Sequence, residues 1–552
     1  MGPGVAVADL NGDGKSEFYL SGAAGTPGAL FSGNEHGFFA KIGSFKEGQA
    51  FEDMGCLFFD AEGDGDLDLY VVSGGVESGD KDELLQDRLY IFDSKTAYTL
   101  SENTLPKHQD SGGCIAAADF DRDGDLDLFI GGRVVAAVDQ QSAFGSRRVV
   151  AGDDAPKFVD GVSEFASDLG ELGMVTSALW TDVDGDGWLD LMTTSEWGSV
   201  RLFRNQEGQL TEDTRASGLA QRTGWFNGIS GRDIDNDGDI DYMVTNFGLN
   251  TKYHATEDHP ALLYYGDFEG NGRKRLIEAE EEDDTLFPVR GKSCSTKAMP
   301  SLGKKYGSYK DFALASLEDI YTPQCLQSAF RFDANSLESM VLINDGKGNF
   351  TFQSLPRVVQ ISPGFAVYLT EIDGDGNADA VITQNFFSPQ LETGNFDGGL
   401  SQMLKGQGDG SFAALSPEES GISVHGDAKA MACVDFNQDG AADFLITTNN
   451  GSSVSLLNDT GGDPKTFSVR LKGPKGNQKS IGAKVTVTSN GLPPQTAEVY
   501  AGGSYLSQST ADLFFAKPSG LGAIEVRWPD GSKTRKEVQK WESLITLTPT
   551  SP

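Results

Sequence analysis

Short stretches of alternating apolar and polar residues recur along the chain, and between them the sequence turns acidic. Runs from Val5 to Ala8, from Asp127 to Ile130, from Asp190 to Met192 and from Asp241 to Val244 have the period of two that puts successive side chains on opposite faces of a strand. A second hairpin follows each acidic turn, often through an Asn/Gly turn. Examples run from Leu202 through Asn205 to Leu210, and from Val341 through Gly346 to Phe350. Four short strands in each repeat of about 40–65 residues is the pattern of a propeller blade. The fold class expected is therefore all-β.

The acidic turns are themselves repeats. Five residues at alternate positions surround one glycine. The sets are Asp9, Asn11, Asp13, Lys15 and Glu17, then Asp60, Glu62, Asp64, Asp66 and Asp68, then Asp119, Asp121, Asp123, Asp125 and Asp127. Next come Asp182, Asp184, Asp186, Trp188 and Asp190, and Asp233, Asp235, Asp237, Asp239 and Asp241. Glu371, Asp373, Asp375, Asn377 and Asp379 form another set, and Asp435, Asn437, Asp439, Ala441 and Asp443 the last. Positions 1, 3, 5 and 9 of each loop offer side-chain oxygen and position 7 its backbone carbonyl. Calcium takes six to eight such hard ligands. Carboxylates crowded without a cation would repel one another.

Position 6 is glycine in every copy, at Gly14, Gly65, Gly124, Gly187, Gly238, Gly272, Gly376 and Gly440, where a sharp loop calls for positive φ. An EF-hand would end in a bidentate Glu at position 12 between helices. Here the ninth position closes the cage and the flanks read as strands. Acidic Asx turns without metal are the plain alternative for one copy, but not for eight in register.

One copy departs from the pattern. Asp267, Glu269, Asn271, Arg273 and Arg275 put a cation where the last carboxylate belongs, which predicts poor calcium binding. The set opened by Asp435 has a neutral Asn437 and is expected to bind more weakly than that opened by Asp119. About seven structural calcium ions are expected. The loop spacing has one interval too short and the next too long. Merging them makes the Asp267 loop part of the outer hairpin of the fifth blade and gives seven blades, with eight as the alternative. The surplus, about residues 278–333, reads as a polar, partly helical insertion, and long insertions in a ring often bind something.

Near the Gly461–Pro464 linker the acidic loops stop. The domains read as 1–463 for the ring and 464–552 for a compact β domain. The latter has strands near Phe467–Leu471, Ala483–Thr488, Ala497–Tyr500, Ile524–Trp528 and Leu544–Leu547, and a Pro529-Asp530-Gly531 hairpin turn. A small β-sandwich is expected.

The loops and the hairpins that follow them resemble the FG-GAP (VCBS) repeat family, the integrin-α-like propellers. Segments Gly476–Val485, Gly502–Ser509 and Val526–Gly531 look like the ASPIC/UnbV domain. The combination is similar to the cartilage acidic protein family. The resemblance implies an extracellular calcium-binding propeller that acts in adhesion or partner binding, and it supplies no catalytic residue.

The 552 residues carry 82 acidic and 44 basic side chains, a net charge of −38, which should repel nucleic acid and anionic lipid. No run reaches the roughly 18 apolar residues of a membrane span. The chain enters its first strand almost at once, as a fragment of a longer precursor would, so the lack of a leader says nothing about export. Calcium loops suit a millimolar-calcium exterior; a secreted, cell-surface or periplasmic protein is expected. Cys56, Cys114 and Cys433 precede acidic loops and read as buried thiols. Cys294 and Cys325 flank the insertion and either pair in an oxidising compartment or stay free.

No nucleophile, base or zinc constellation has specific spacing. His254 and His259 read as a surface turn, and Ser504, Ser507 and Ser509 as a polar turn without a GxSxG elbow. Trp180, Trp188, Trp197, Trp225 and Phe226 read as blade packing, or as a platform for a sugar or peptide if several reach the rim. The favoured reading is a binding module for a protein or glycan with structural calcium. The alternative is a polysaccharide lyase or glycoside hydrolase on the same ring.

Overall fold

The computed structural model describes residues 2–33, 39–75, 82–93, 97–108, 110–135, 146–150, 158–160, 169, 172–389, 393–459 and 464–549. The described strands form ten sheets, seven of which share one plan. Each begins with a hairpin whose first strands are Val5–Ala8, Asp53–Phe59, Asp110–Ala118, Met174–Thr181, Ile229–Arg232, Gly364–Thr370 and Asp427–Val434. An acidic loop follows each directly.

The last residue of the first strand always faces the first residue of the second: Ala8 with Glu17, Phe59 with Asp68, Ala118 with Asp127, Thr181 with Asp190, Arg232 with Asp241, Thr370 with Asp379, Val434 with Asp443. Loop position 9 is therefore the residue that restarts antiparallel pairing in every copy.

The first strands neighbour one another in chain order, and Asp427–Val434 returns against Val5–Ala8. The sheets thus stand around a centre like the blades of a propeller, with apolar faces packed sheet on sheet. Between the fourth and fifth sheets, Leu179, Met192 and Leu202 meet Ile229, Tyr242 and Leu342. Cys56, Cys114 and Cys433 are buried thiols in these cores.

The insertion starts earlier than residues 278–333. Strands Ala261–Gly266, Arg275–Glu282, Thr285–Pro288 and Phe330–Ala334 make a sheet of their own, with five short helices between Lys292 and Ser328 packed on it. Phe330–Ala334 pairs back onto Ala261–Gly266, so the insertion leaves and rejoins the ring at one place. The Asp267 loop belongs to this sheet. The outer hairpin of the fifth sheet, which it was expected to supply, is Met340–Asn344 with Phe350–Ser354. Cys294 and Cys325, on two of the short helices, are free thiols rather than a disulfide.

The C-terminal part is a sandwich of two sheets. One joins Leu513–Ala516, Thr466–Leu471 and Leu544–Leu547; the other joins Gln495–Glu498, Lys484–Ser489, Gly522–Arg527 and Lys533–Val538. Of the expected Gly461–Pro464 linker, residues 461–463 lie outside the described residues. The hydrophobic core does not stop there: one cluster runs from Val5, Leu57 and Met431 of the ring to Phe467, Val485 and Trp528 of the sandwich.

Between the sandwich strands, residues 501–510 leave the domain and enter the middle of the ring, where they bond to the first strand of all seven sheets. Ser507–Gln508 pairs in parallel with Val5–Ala6, and Ala501–Gly502 pairs with Ala116–Ala117. The Gln508 amide brackets Phe58, accepting from its N–H at 2.7 Å and donating to its carbonyl at 2.9 Å. The Ser177 hydroxyl donates to the Ser504 carbonyl, and the Ser504 N–H to the Ile229 carbonyl. Three serine hydroxyls accept ring amides: Ser504 from Val367, Ser507 from Met431 and Ser509 from Cys433.

A strand edge facing a channel leaves backbone groups unpaired, and a buried amide without a partner costs about 1–3 kcal/mol. These serines are therefore structural acceptors. Replacing Ser504, Ser507 and Ser509 together by alanine strands three amides, and we expect the melting temperature to fall by several degrees. A scan matching the parent would remove the pairing role.

Candidate metal centres and the mouth of the ring

Each acidic loop is wound around its own side chains. The glycine N–H at position 6 donates to the position 1 carboxylate in all eight copies, from Gly14 to Asp9 at 2.9 Å through to Gly440 to Asp435 at 2.9 Å. That glycine has positive φ every time, between 82° and 106°, as the sharp turn requires. The position 2 N–H donates to the position 9 carboxylate in seven copies, from Leu10 to Glu17 through to Phe436 to Asp443. The Asp267 loop has Arg275 at that place.

Position 9 also reaches outward. Asp190 accepts from Asn205, Asp241 from Asn344 and Asp379 from Gly406, which latches the hairpin to the third strand. The position 7 N–H is turned onto the position 5 carboxylate, as from Lys15 to Asp13 and from Trp188 to Asp186.

Four loops bring three carboxylate oxygens within 4.8 Å of one another: Asp119 with Asp121 and Asp127, Asp182 with Asp184 and Asp186, Asp233 with Asp235 and Asp241, Glu371 with Asp373 and Asp379. The Asp9, Asp60, Asp267 and Asp435 loops do not reach that closeness among the described residues. In three of the four groups the oxygens come from positions 1, 3 and 9, and position 5 lies outside. The fourth loop instead uses positions 1, 3 and 5. There Arg204 stands 3.0 Å from Asp184 and 3.7 Å from Asp190.

Burial pushes these groups up, and the neighbouring carboxylates add to it. Asp190 and Asp379 rise to about 8, Asp68, Asp233, Asp241, Asp443 and Glu371 to about 7, Asp119 and Asp435 to about 6. Desolvation of the charged form is the leading cause in each. Oδ1 of Asp182 and Oδ1 of Asp233 are buried and accept no hydrogen bond among the described residues. An all-oxygen cluster with buried acceptors left over fits a hard divalent cation. Protein cations reach two of the loops as well: Arg527 contacts Asp182, and Lys405 contacts Asp373 and lies 2.9 Å from Asp375.

The sandwich sits on this loop-bearing end. Arg527 also donates to the Gly185 carbonyl at 3.2 Å, Thr466 to Gly440 at 2.9 Å, and Arg232 to the Phe514 carbonyl at 2.7 Å. Residues 464–552 hold 12 basic and 6 acidic side chains, so a basic cap meets an acidic face.

At the other end of the strands lies a cavity of about 440 Å³. Its aromatic wall is a chain of edge-to-face contacts: Trp197 on Trp225 at 4.6 Å, Phe247 on Trp225 at 4.2 Å, Tyr253 on Trp225 at 4.8 Å and Phe396 on Phe247 at 5.0 Å. Tyr505, from the segment inside the ring, lines it too and meets Phe365 at 5.1 Å. Three ion pairs stand around it: Arg133 with Glu196, Arg290 with Glu278 at 2.9 Å, and Lys429 with Asp427 at 2.6 Å. The Lys429 ammonium lies 3.3 Å from the Phe365 ring centroid and donates to the Asn385 carbonyl, and burial pulls it down to about 8. Both lining glutamates are engaged by guanidinium groups.

Of the five aromatics singled out in the sequence, Trp197 and Trp225 reach this mouth. Trp180 is buried on Phe120, Phe226 lies in the core between sheets, and Trp188 is stacked under Arg122 in an acidic loop. Arg133, Lys429, Phe365 and Tyr505 were missed, because each comes from a different part of the chain and only ring closure gathers them. His254 and His259 stay in a turn of the insertion, where the Thr256 N–H donates to the His259 carbonyl.

Among the described residues no helix is long and apolar enough to cross a membrane. No curated protein matches the chain. Residues 9–71 and 182–244, each running from one acidic loop through the next, match the FG-GAP-like repeat, and residues 473–551 match the ASPIC and UnbV domain. The chain carries FG-GAP-like repeats and a C-terminal ASPIC and UnbV domain.

Proposed function

We propose that the protein is an exported, seven-bladed propeller whose acidic loops hold structural calcium and whose opposite mouth binds a protein or glycan partner. The observation that carries the calcium reading is the buried, unpartnered oxygen of Asp182 and of Asp233 inside a group of three carboxylates. Positions 1, 3 and 9 would hold the ion, with position 5 and the position 7 carbonyl completing the shell. The ion supplies charge compensation, and no reaction runs through it. Binding to the folded state alone adds to stability by linkage. Export follows from the loops, since a calcium-rich exterior keeps such sites filled. The propeller-like repeats and the aromatic mouth support the binding role, in adhesion or in capture of a ligand.

Three outcomes test this. Excess chelator should lower the melting temperature by many degrees, and millimolar calcium should restore it; an unchanged melt removes the structural role. Replacing Asp233 and Asp235 together by asparagine should lower the calcium stoichiometry, read by calorimetry, by one ion.

The third concerns pH. Without metal, Asp190 and Asp379 have folded values near 8 against about 4 unfolded. Their stabilising contribution is then fully present below about pH 4 and is lost as pH rises towards 8. The chelated protein should melt higher at about pH 5 than at about pH 8. Bound calcium favours the ionised form, so the order should invert in its presence. The same slope in both conditions would contradict metal ligation.

A further inference from the structure

Among the described residues the mouth opposite the acidic loops carries two buried donors that meet no acceptor in hydrogen-bond geometry. They are Nη1 of Arg133 and Nε1 of Trp225, and both side chains are more than nine-tenths buried and line the cavity. A guanidinium nitrogen or an indole N–H left unpaired in a low-dielectric site costs free energy, and such groups mark places where something else supplies the acceptor. The cavity is built to hold that something. Its volume of about 440 Å³ lies within the roughly 300–1,000 Å³ of small-molecule sites.

The remaining lining narrows the chemistry. Trp197 and Phe247, both half-buried in the lining, offer aromatic surface of the kind that packs on a sugar ring. Asn227, Ser388 and Thr393 bring both donors and acceptors, as hydroxyl groups need. The three cations that line the space, Arg133, Arg290 and Lys429, are each ion-paired, with Glu196, Glu278 and Asp427, so the mouth is locally neutral and what it offers beyond that balance is the pair of unpartnered donors. In a chain of net charge −38 an anion has to overcome long-range repulsion by contact.

Resting on the binding role proposed above, we infer that the mouth takes an acidic saccharide, a uronate residue whose carboxylate meets Arg133 and whose ring packs on the Trp197–Trp225 wall. The Trp225 N–H then donates to a carboxylate or ring-hydroxyl oxygen. Tyr505 forms the floor, so the site is complete only when residues 501–510 are in the ring.

Calorimetric titration of the full chain in calcium with oligogalacturonate, with its methyl ester and with a neutral oligogalactoside tests this. The free acid should bind, and the ester and the neutral sugar should bind at least about tenfold more weakly, the order expected when a hydrogen bond to a charged group is lost. Arg133→Met and Trp225→Phe should each weaken the acid by a similar factor; Arg133→Met also breaks the pair with Glu196 and should lower the melting temperature, so binding is read below the melt of each variant. The ester comparison keeps the test valid if either variant misfolds, since it changes the ligand alone. Equal binding of acid and ester, or acid binding indifferent to both substitutions, overturns the assignment. Binding of a short peptide carboxylate with no saccharide bound overturns the sugar class and leaves the mouth as a binding site. Silence from every probe overturns the site itself, while the calcium melt still reports separately on the loops.

Discussion

Seven strands that face a common centre each expose one edge there, and buried backbone groups have to be paired. The ring meets this constraint with ten residues from another domain. A straight strand could pair with only one or two edges. Residues 501–510 instead turn repeatedly, with Gly502, Gly503, Ser504 and Leu506 all at positive φ, so that successive groups point at different sheets. Two of these are not glycine, and such a conformation costs on the order of 1 kcal/mol or more for each. The hydrogen bonds to Val5, Phe58, Ala116, Ser177, Ile229, Val367 and Met431 offset it. Because the same bonds fix the sandwich, the ring and its C-terminal partner share one hydrophobic core.

Charge follows the same geometry. Strand pairing forces a carboxylate at loop position 9 to lie under the turn, and the turn itself needs another at position 1 to accept the glycine N–H. Burial raises both in the Asp60, Asp233, Glu371 and Asp435 loops. The fold therefore concentrates electrostatic strain at one end of these sheets, and it collects positive charge there, from a basic sandwich, from Arg204, Arg527 and Lys405, and in the proposed reading from calcium. The opposite end is free of this demand. It can afford an aromatic mouth with individually paired ions, and a difference between the two rims emerges from the direction of the strands.

Much of this was legible in the chain. Period-two runs gave the strands, and the alternation of oxygen side chains around Gly14 or Gly238 gave the loops, because both are local patterns. The loop glycines have the backbone angle their spacing implied. The Asp267 loop was misplaced because spacing alone cannot tell which hairpin pairs with Tyr242; that is decided by Val341 and Leu342 nearly a hundred residues on. The serine run from Ser504 to Ser509 read as a turn, and it is bent, yet its partners lie in six distant strands, which no window of sequence contains. The mouth was half visible, through Trp197 and Trp225. Arg133 and Lys429 carry no signal of their own until closure of the ring brings the third and seventh sheets to the same opening.

Residues 501–510 follow every ring strand in the order of synthesis. A ribosome therefore delivers seven blade edges before the peptide that joins them, and the mouth has no floor until Tyr505 arrives. In the proposed reading ligand competence is in this way coupled to read-through of the chain, and a prematurely terminated product would present neither a finished tunnel nor a closed cup.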